Sequence, residues 1–366
     1  ARDRNIPIVA LKVGLTELAA RLTVSHSGAI AGRDDTYQAV FERYGGQRVG
    51  DLDELTTALI MFAQPHPVGP GGMASIHDSG GERQLLIDLA DEMGVPFADI
   101  SEQTTQRLAE VLDPGLPPVN PCDAWGAGAE NADTIMAECL AALMRDEATS
   151  FGAVIHDRAP LGTIFGVYID YMRKGHAASG KPVFLVSNRQ GTGSDPAVID
   201  VTREGFPILD GLRSFLAGAR CLMQWRDFQA NDTPWQADAP LDSGPWRERL
   251  ASGDALDEIE ASRMLEDFGL PMNPSRRATS LEDALDAAGD LGYPVVLKSL
   301  KPGLLHKTDR GGVALGLDGG EALTSAYRAM SARLGPEVSV SRMVTEPGAE
   351  LVLGMIRDEQ FGPLVL

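Results

Sequence analysis

Apolar and polar positions along this chain alternate between two rhythms. Short continuous apolar runs bounded by glycine, proline or serine predict buried strands, and apolar positions spaced three and four apart predict helices with one wet face. The first rhythm predicts strands over residues 8–13, 73–77, 151–156, 181–187, 293–298, 313–317, 338–343 and 350–356. The second predicts helices over 37–44, 53–63, 82–93, 131–145, 164–175, 196–204, 213–226, 254–268, 281–291 and 321–334. Up to residue 228 strands and helices take turns, which predicts parallel sheets with helices on both faces. In such sheets ligands bind beyond the carboxyl ends of the strands. The proline- and glycine-rich stretch 65–72 and the polar stretch 229–250 read as linkers, and residues 251–366 read as an α+β sandwich. Both ends of the sequence carry apolar runs read as buried strands, so the chain is expected to be cut from a longer polypeptide.

Composition narrows the function classes. A chain of 366 residues suggests two or three domains, and 43% hydrophobic content belongs to a folded protein. The 52 acidic residues outnumber 32 basic ones, for a formal net charge of −20. Such a surface repels nucleic-acid backbones and anionic lipid, which argues against nucleic-acid and membrane-surface roles. No run of 18 apolar residues exists, and residues 1–14 lack a cleavable secretory pattern, so the expected location is the cytoplasm. Three scattered cysteines do not make a disulfide framework or a zinc site, and Cys122 reads as a small thiol in a polar loop.

Candidate chemistry gathers in three stretches. In TVSHSGAIAGRDD (residues 23–35), His26 lies between Ser25 and Ser27 and is followed by Gly28 and Gly32. One reading is a helix-capping histidine. The other is a nucleophile: a neutral imidazole can take a phosphoryl group from an acyl phosphate, with the serines fixing its tautomer and the glycines opening the approach. In HDSGGERQLLID (77–88), Ser79, Gly80 and Gly81 separate a strand from a helix. They make either a tight turn or a cradle whose helix-terminal N–H groups would receive an oxyanion. In YPVVLKSLKPGLLHKTDRGGVALGL (293–317), Lys298 at a strand end is either a surface lysine or a point charge for nucleotide phosphate. Lys307 and Arg310 flank His306 before Gly311 and Gly312, as a solvated turn or as cations neutralising a phosphoryl group on that histidine.

Taken in order, these motifs resemble the NDP-forming (ADP-forming) acyl-CoA synthetases, relatives of succinyl-CoA synthetase, over nearly the whole chain. SHSGAIAG is similar to the family's phosphohistidine segment, HDSGG and VNPCDAWG (119–126) to its second CoA-ligase domain, and GYPVVLK, HKTDRGGV and GAELVLGMIRDEQFGP to its fused ATP-grasp domain. The resemblance implies a fold of two flavodoxin-like parallel-sheet CoA-ligase domains, the first partial (1–66, then 67–228), a linker (229–250) and the start of an α+β ATP-grasp domain (251–366). It implies a ligase that turns a carboxylic acid, CoA and ATP into acyl-CoA, ADP and phosphate. His26 and His306 would carry phosphoryl groups, Ser25, Ser27, Ser79, Gly80 and Gly81 would bind phosphate, and Lys298, Lys307 and Glu350 would bind nucleotide. Mg²⁺ would accompany ATP, and relatives suggest a homodimer. The metal ligands and the acid are not named by it. Asn120, Asp123 and Trp125 are candidates for the acyl pocket, with Phe97 and Phe165 as hints of a larger acid. His77 stands where a small polar residue is expected and reads better as a bonded strand-end residue than as a third functional imidazole. A second class, the ligand-sensing synthetase-like module of a protein lysine acetyltransferase, stays open; such modules tend to lose the histidine that is present here as His26.

Overall fold

The computed structural model describes residues 2–16, 18–19, 22, 34–126, 130–157, 163–191, 195–231, 243–304, 307–349, 353–358 and 361–365. His26, Ser25, Ser27, His306 and Glu350 therefore lie outside the described residues. The chain divides into two compact units, Ala1–Thr233 with Leu353–Leu366, and Pro234–Val352.

In the first unit, β1 (Ile8–Leu11) pairs in parallel with β2 (Gly46–Val49), and α1 (Asp34–Tyr44) and α2 (Leu52–Ala63) flank β2 in sequence. Asp51 caps α2 by accepting from the Glu54 N–H at 2.8 Å. The apolar run at the start is a strand, but not a buried one. Ile8 is 51% exposed, because the described part of this sheet has only two strands to cover it. The run at the other end, β12 (Met355–Asp358) antiparallel to β13 (Gly362–Val365), is likewise open to solvent, with Val365 75% exposed.

The rest of the unit is a five-stranded parallel sheet. Its strands are β3 (Gly72–His77), β4 (Cys122–Asp123), β5 (Thr149–His156), β6 (Val183–Ser187) and β7 (Ile208–Asp210), in the order β4-β3-β5-β6-β7. That order is the flavodoxin-like one, and it reverses direction between β3 and β5. Every residue of β3, β5 and β6 is buried, because helices cover both faces. On one face Ala74, Ile76, Val154 and Leu185 pack under α5 (Ala132–Arg145) and α6 (Gly166–Ser179). On the other, Met73, Phe151, Ile155 and Phe184 pack under α3 (Gly80–Met93) and α8 (Leu212–Ala230). Three elements here escaped the sequence pattern. Two are the short strands β4 and β7; the third is α4 (Glu102–Val111), whose buried residues are only Thr104 and Leu108 and whose cap Ser101 is tied to Asp146. Cys122 is not a loop thiol. It is fully buried in β4, where a hydrogen bond with Cys139 and then burial push its thiol pKa up. The short α7 (Ala197–Arg203) leads into β7.

The second unit opens with α9 (Gly244–Ala251), a helix inside the stretch expected to be linker, followed by α10 (Glu258–Asp267). Its four-stranded antiparallel sheet runs β10-β9-β11-β8, from β8 (Ser275–Ala278), β9 (Val295–Ser299), β10 (Val313–Leu317) and β11 (Val338–Arg342). α11 (Leu281–Leu291) and α12 (Gly320–Leu334) lay Ala284, Ala288, Leu291, Leu323, Tyr327 and Met330 on Val295, Leu297, Val338 and Val340. The expected α+β sandwich is thus one sheet under one helical layer.

Candidate functional site

Two polar clusters stand out, one in each unit. The first lies at the carboxyl ends of β3, β4, β5 and β6, beside the strand-order reversal where doubly wound sheets open a crevice. β3 ends at His77, and the chain turns through Asp78 and Ser79 into α3. Ser79 occupies the N-cap in extended conformation but makes no side-chain cap bond. The positive end of the α3 dipole therefore faces this turn without its usual hydroxyl cap. The start of α3 lies close to β4: a Cβ on Gly80 would stand 3.1 Å from Oδ2 of Asp123, the last residue of β4 and the register partner of His77.

Carboxylates crowd this helix start. Asn188, just past β6, donates from Nδ2 to Glu82 Oε1 at 2.7 Å. Burial, with Asp78 and Asp157 nearby, pushes the Glu82 carboxyl up to about 7, and the bond from Asn188 only partly opposes this. Asp78, whose negative charge is among the causes raising the Glu82 carboxyl, accepts from the Tyr168 hydroxyl. Burial and that bond raise the Tyr168 phenol. His156, at the end of β5, stacks on Tyr168 with centroids 4.7 Å apart. Its Nδ1 lies 2.7 Å from the Asp157 carbonyl oxygen, which can only accept, so Nδ1 carries the proton. His77 is fully buried, with Nε2 2.9 Å from Ser75 Oγ. Burial first and Arg83 second lower its pKa to about 3, so it stays neutral in the folded protein. That is the bonded strand-end histidine the sequence suggested.

The acyl-pocket candidates separate. Asp123 is in the cluster, and Trp125, 37% exposed, lies two residues beyond it. Phe165 caps the start of α6 and meets Tyr168 edge-on at 6.1 Å. Asn120 is committed elsewhere: it accepts from the Ser75 N–H at 3.1 Å and donates to the carbonyls of Met73 at 2.9 Å and Ala98 at 3.0 Å. Phe97 bridges to Met73, at the amino end of β3 and roughly 13 Å along the strand from His77. It does not join this cluster.

The second cluster lies at the end of β9. Glu258, the first residue of α10, places one carboxylate oxygen 2.5 Å from Lys298 Nζ and the other 2.9 Å from Lys307 Nζ. Burial would raise this carboxyl, but the bonds from the two lysines outweigh it and hold the pKa low. Lys298 lies in β9 opposite Val313 of β10 and Ser339 of β11. Lys307 lies in a loop closed by the Gly312 N–H on its own carbonyl at 2.7 Å. A Cβ on Gly312 would press to 3.1 Å from that carbonyl, which explains one glycine of the pair. Gly311, the other, has φ +62°, a conformation glycine accepts without strain. Sequence reasoning gave no role to Asp78, Glu82, His156, Tyr168, Asn188 or Glu258, although Asp78 and Glu82 stand in the stretch 77–88. The legible signal was positional: His156 and Asn188 end strands on the crevice side, and Asp257 with Glu260 spells a capping box that starts a helix at Glu258. Among the described residues no group of three or more His, Cys, Asp or Glu side chains could hold a metal ion.

An open flavodoxin-like sheet with a glycine-opened helix start is thus joined in sequence to an antiparallel unit bearing paired lysines. Residues 1–62 match the succinyl-CoA ligase like flavodoxin domain and residues 249–366 match the ATP-grasp domain, and the chain is related to the ADP-forming acyl-CoA synthetases. It is similar to acetate–CoA ligase (ADP-forming) I of Archaeoglobus fulgidus, at 28% identity over 99% of this chain and 53% of that protein. It is similar also to the trans-feruloyl-CoA synthase of an unknown prokaryotic organism, at 27% identity over 98% of this chain and 51% of the relative. Among solved structures it superposes on the apo form of the Ca. Korarchaeum cryptofilum dinucleotide forming acetyl-coenzyme A synthetase 1. The TM-score is 0.51 at 17% identity, over 62% of this chain and 49% of that one, a likeness of fold. The chain spans about half the length of the curated relatives it matches.

Proposed function

We propose that this chain is the phosphoryl-handling half of an acyl-CoA synthetase that forms ADP, with CoA and a small carboxylic acid as its other substrates. The observation that carries the reading is the collinear match, across 99% of the chain, to an ADP-forming CoA ligase. In the synthetic direction ATP gives its γ-phosphoryl group to His26: a P–O bond to ADP breaks and an N–P bond forms on the neutral imidazole. The acid's carboxylate then attacks phosphorus, the N–P bond breaks and an acyl phosphate results. CoA attacks the acyl carbon, phosphate leaves, and the thiol proton passes to it. His306 is a second phosphoryl carrier on the same logic.

The described residues fit the two charge-handling tasks. The α3 N-terminus, opened by Gly80 and Gly81 and lacking a side-chain cap, offers backbone N–H groups to a phosphoryl oxygen. Asp78 and Asp123 put acidic side chains beside an arriving anion, and Glu82, its carboxyl pushed up to about 7 by burial, is only partly ionised near neutrality. Asp123 stands against the start of α3 and Trp125 follows it by two residues, and these are the residues we assign to the acyl pocket. Lys298 and Lys307 bring two cations to one point for a phosphate chain, with Glu350 assigned to the same nucleotide. Mg²⁺ would neutralise charge on the nucleotide when bound. The molecule would work as a homodimer in the cytoplasm. No helix among the described residues is long and apolar enough to cross a membrane.

His26→Ala tests the reading directly. Incubation of the 366-residue chain with Mg-ATP is expected to yield acid-labile, base-stable protein phosphate, and the variant is expected to lose that label at His26. Unchanged labelling in the variant would reject the assignment. An unlabelled parent chain would favour the ligand-sensing alternative.

A further inference from the structure

The Glu258 carboxylate has no place in the chemistry read from the sequence motifs, yet three separately fixed segments converge on it. α10 is fastened at its start by a capping box in which Asp257 accepts from the N–H groups of Ile259 and Glu260, at 2.9 and 3.0 Å. Asp257 also pairs with Arg277 of β8, and Glu260 with Arg249 of α9 at 3.0 Å. Lys298 is held by β9, which has a strand on either side. Lys307 is held by the loop that Gly312 closes. The rigid backbone of each segment ends at the foot of a flexible side chain, and the carboxylate joins the two ammonium groups. A free lysine carries about 2 kcal/mol of rotamer entropy, which binding must quench. Two unpaired ammonium groups in one place would also repel each other.

We infer that Glu258 is a positioning residue: it orders Lys298 and Lys307 as one cationic pair, so that both reach a single polyphosphate. Two cations on one carboxylate leave a net positive charge at the cluster, so the pair still attracts an anion. Prior ordering lowers the entropic cost of binding it, which is how pre-organisation raises affinity. The inference rests on the nucleotide reading of the two lysines.

The test is calorimetric titration of Mg-ADP into the 366-residue chain and into Glu258→Gln, Glu258→Asp, Lys298→Met and the Glu258→Gln/Lys298→Met double variant. Glu258→Gln is expected to weaken binding roughly tenfold, about 1.4 kcal/mol. Glu258→Asp, whose shorter carboxylate can still hold one lysine, is expected to recover part of that. The double variant is expected to lose less than the sum of the two single losses, because the part of the Glu258 effect that passes through Lys298 is already gone and only the part through Lys307 remains. Melting temperatures should barely move, since ion pairs still about a third open to solvent contribute little to stability. Glu258→Asp keeps the test open should the glutamine variant misfold. Unchanged or tighter binding in Glu258→Gln, or additive losses in the double variant, would overturn the inference while leaving the nucleotide site standing. Absence of Mg-ADP binding by the parent chain would overturn both.

Discussion

At the scale of single residues, the most informative group is Glu82. Its ordinary carboxyl pKa of 4.5 is pushed up to about 7 by burial and by Asp78 and Asp157. The folded state therefore binds more protons than the unfolded state between about pH 4.5 and 7, and this group's contribution to stability falls as pH rises through that window. The groups facing it are Asp78 on the turn before its helix, Asp157 after β5, Tyr168 of α6 and Asn188 after β6. Glutamine at position 82 keeps an oxygen for the Asn188 amide and removes the titration. Glu82→Gln is expected to stabilise the protein increasingly as pH climbs from 5 to 8, read by urea unfolding at several pH values. Parallel pH profiles for the two proteins would show that the carboxyl titrates normally. His77 works in the opposite sense. With its pKa lowered to about 3, it favours folding above its ordinary value of 6.5 and loses that advantage as pH falls.

At the scale of elements, side chains that fasten loops decide where the crevice lies. Asn120 makes three bonds to backbone groups around β3, and through them fixes the loop that enters β4 and delivers Asp123 to the helix start. Asn120→Ala would leave one N–H and two carbonyls without that partner. A loss of roughly 2–4 kcal/mol is expected, at about 1–3 kcal/mol for each unmet buried group and with partial rescue by water. Denaturant unfolding measures it, and a loss under about 1 kcal/mol, the lower end for one such group, would show the loop to be held otherwise. The largely apolar runs of β3, β5 and β6 made the parallel sheet legible, because a strand buried on both faces reads as a near-continuous hydrophobic run. β4 was not legible: two residues, one of them Cys122, carry no period. α4 was hidden for a related reason, since a helix burying only Thr104 and Leu108 shows almost no apolar stripe. The motifs pointed to Ser79, Gly80, Lys298 and Lys307 but not to Glu82 or Glu258, because a carboxylate's role depends on which charges the fold brings to it.

At the scale of the whole molecule, each unit owns a core. The first holds its layers on the two faces of the five-stranded sheet, and the second holds Val295, Leu297, Val338 and Val340 under α11 and α12. Hydrophobic burial is the main favourable term in folding, so separate cores permit separate unfolding transitions. The proposed nucleotide cations belong to the second unit alone. A ligand that binds only the folded state stabilises it by RT ln(1 + [L]/Kd), about 2.7 kcal/mol at a hundredfold excess over Kd. For a unit of this size that corresponds to a rise on the order of 10 °C. Differential scanning calorimetry is therefore expected to resolve two transitions. Mg-ADP should raise one of them, and by less in Glu258→Gln than in the parent chain. It should leave unmoved the other, whose pH dependence changes in Glu82→Gln. Should both move together on adding Mg-ADP, the two cores unfold as one cooperative body, and nucleotide bound at the lysine pair stabilises the CoA-ligase fold as well.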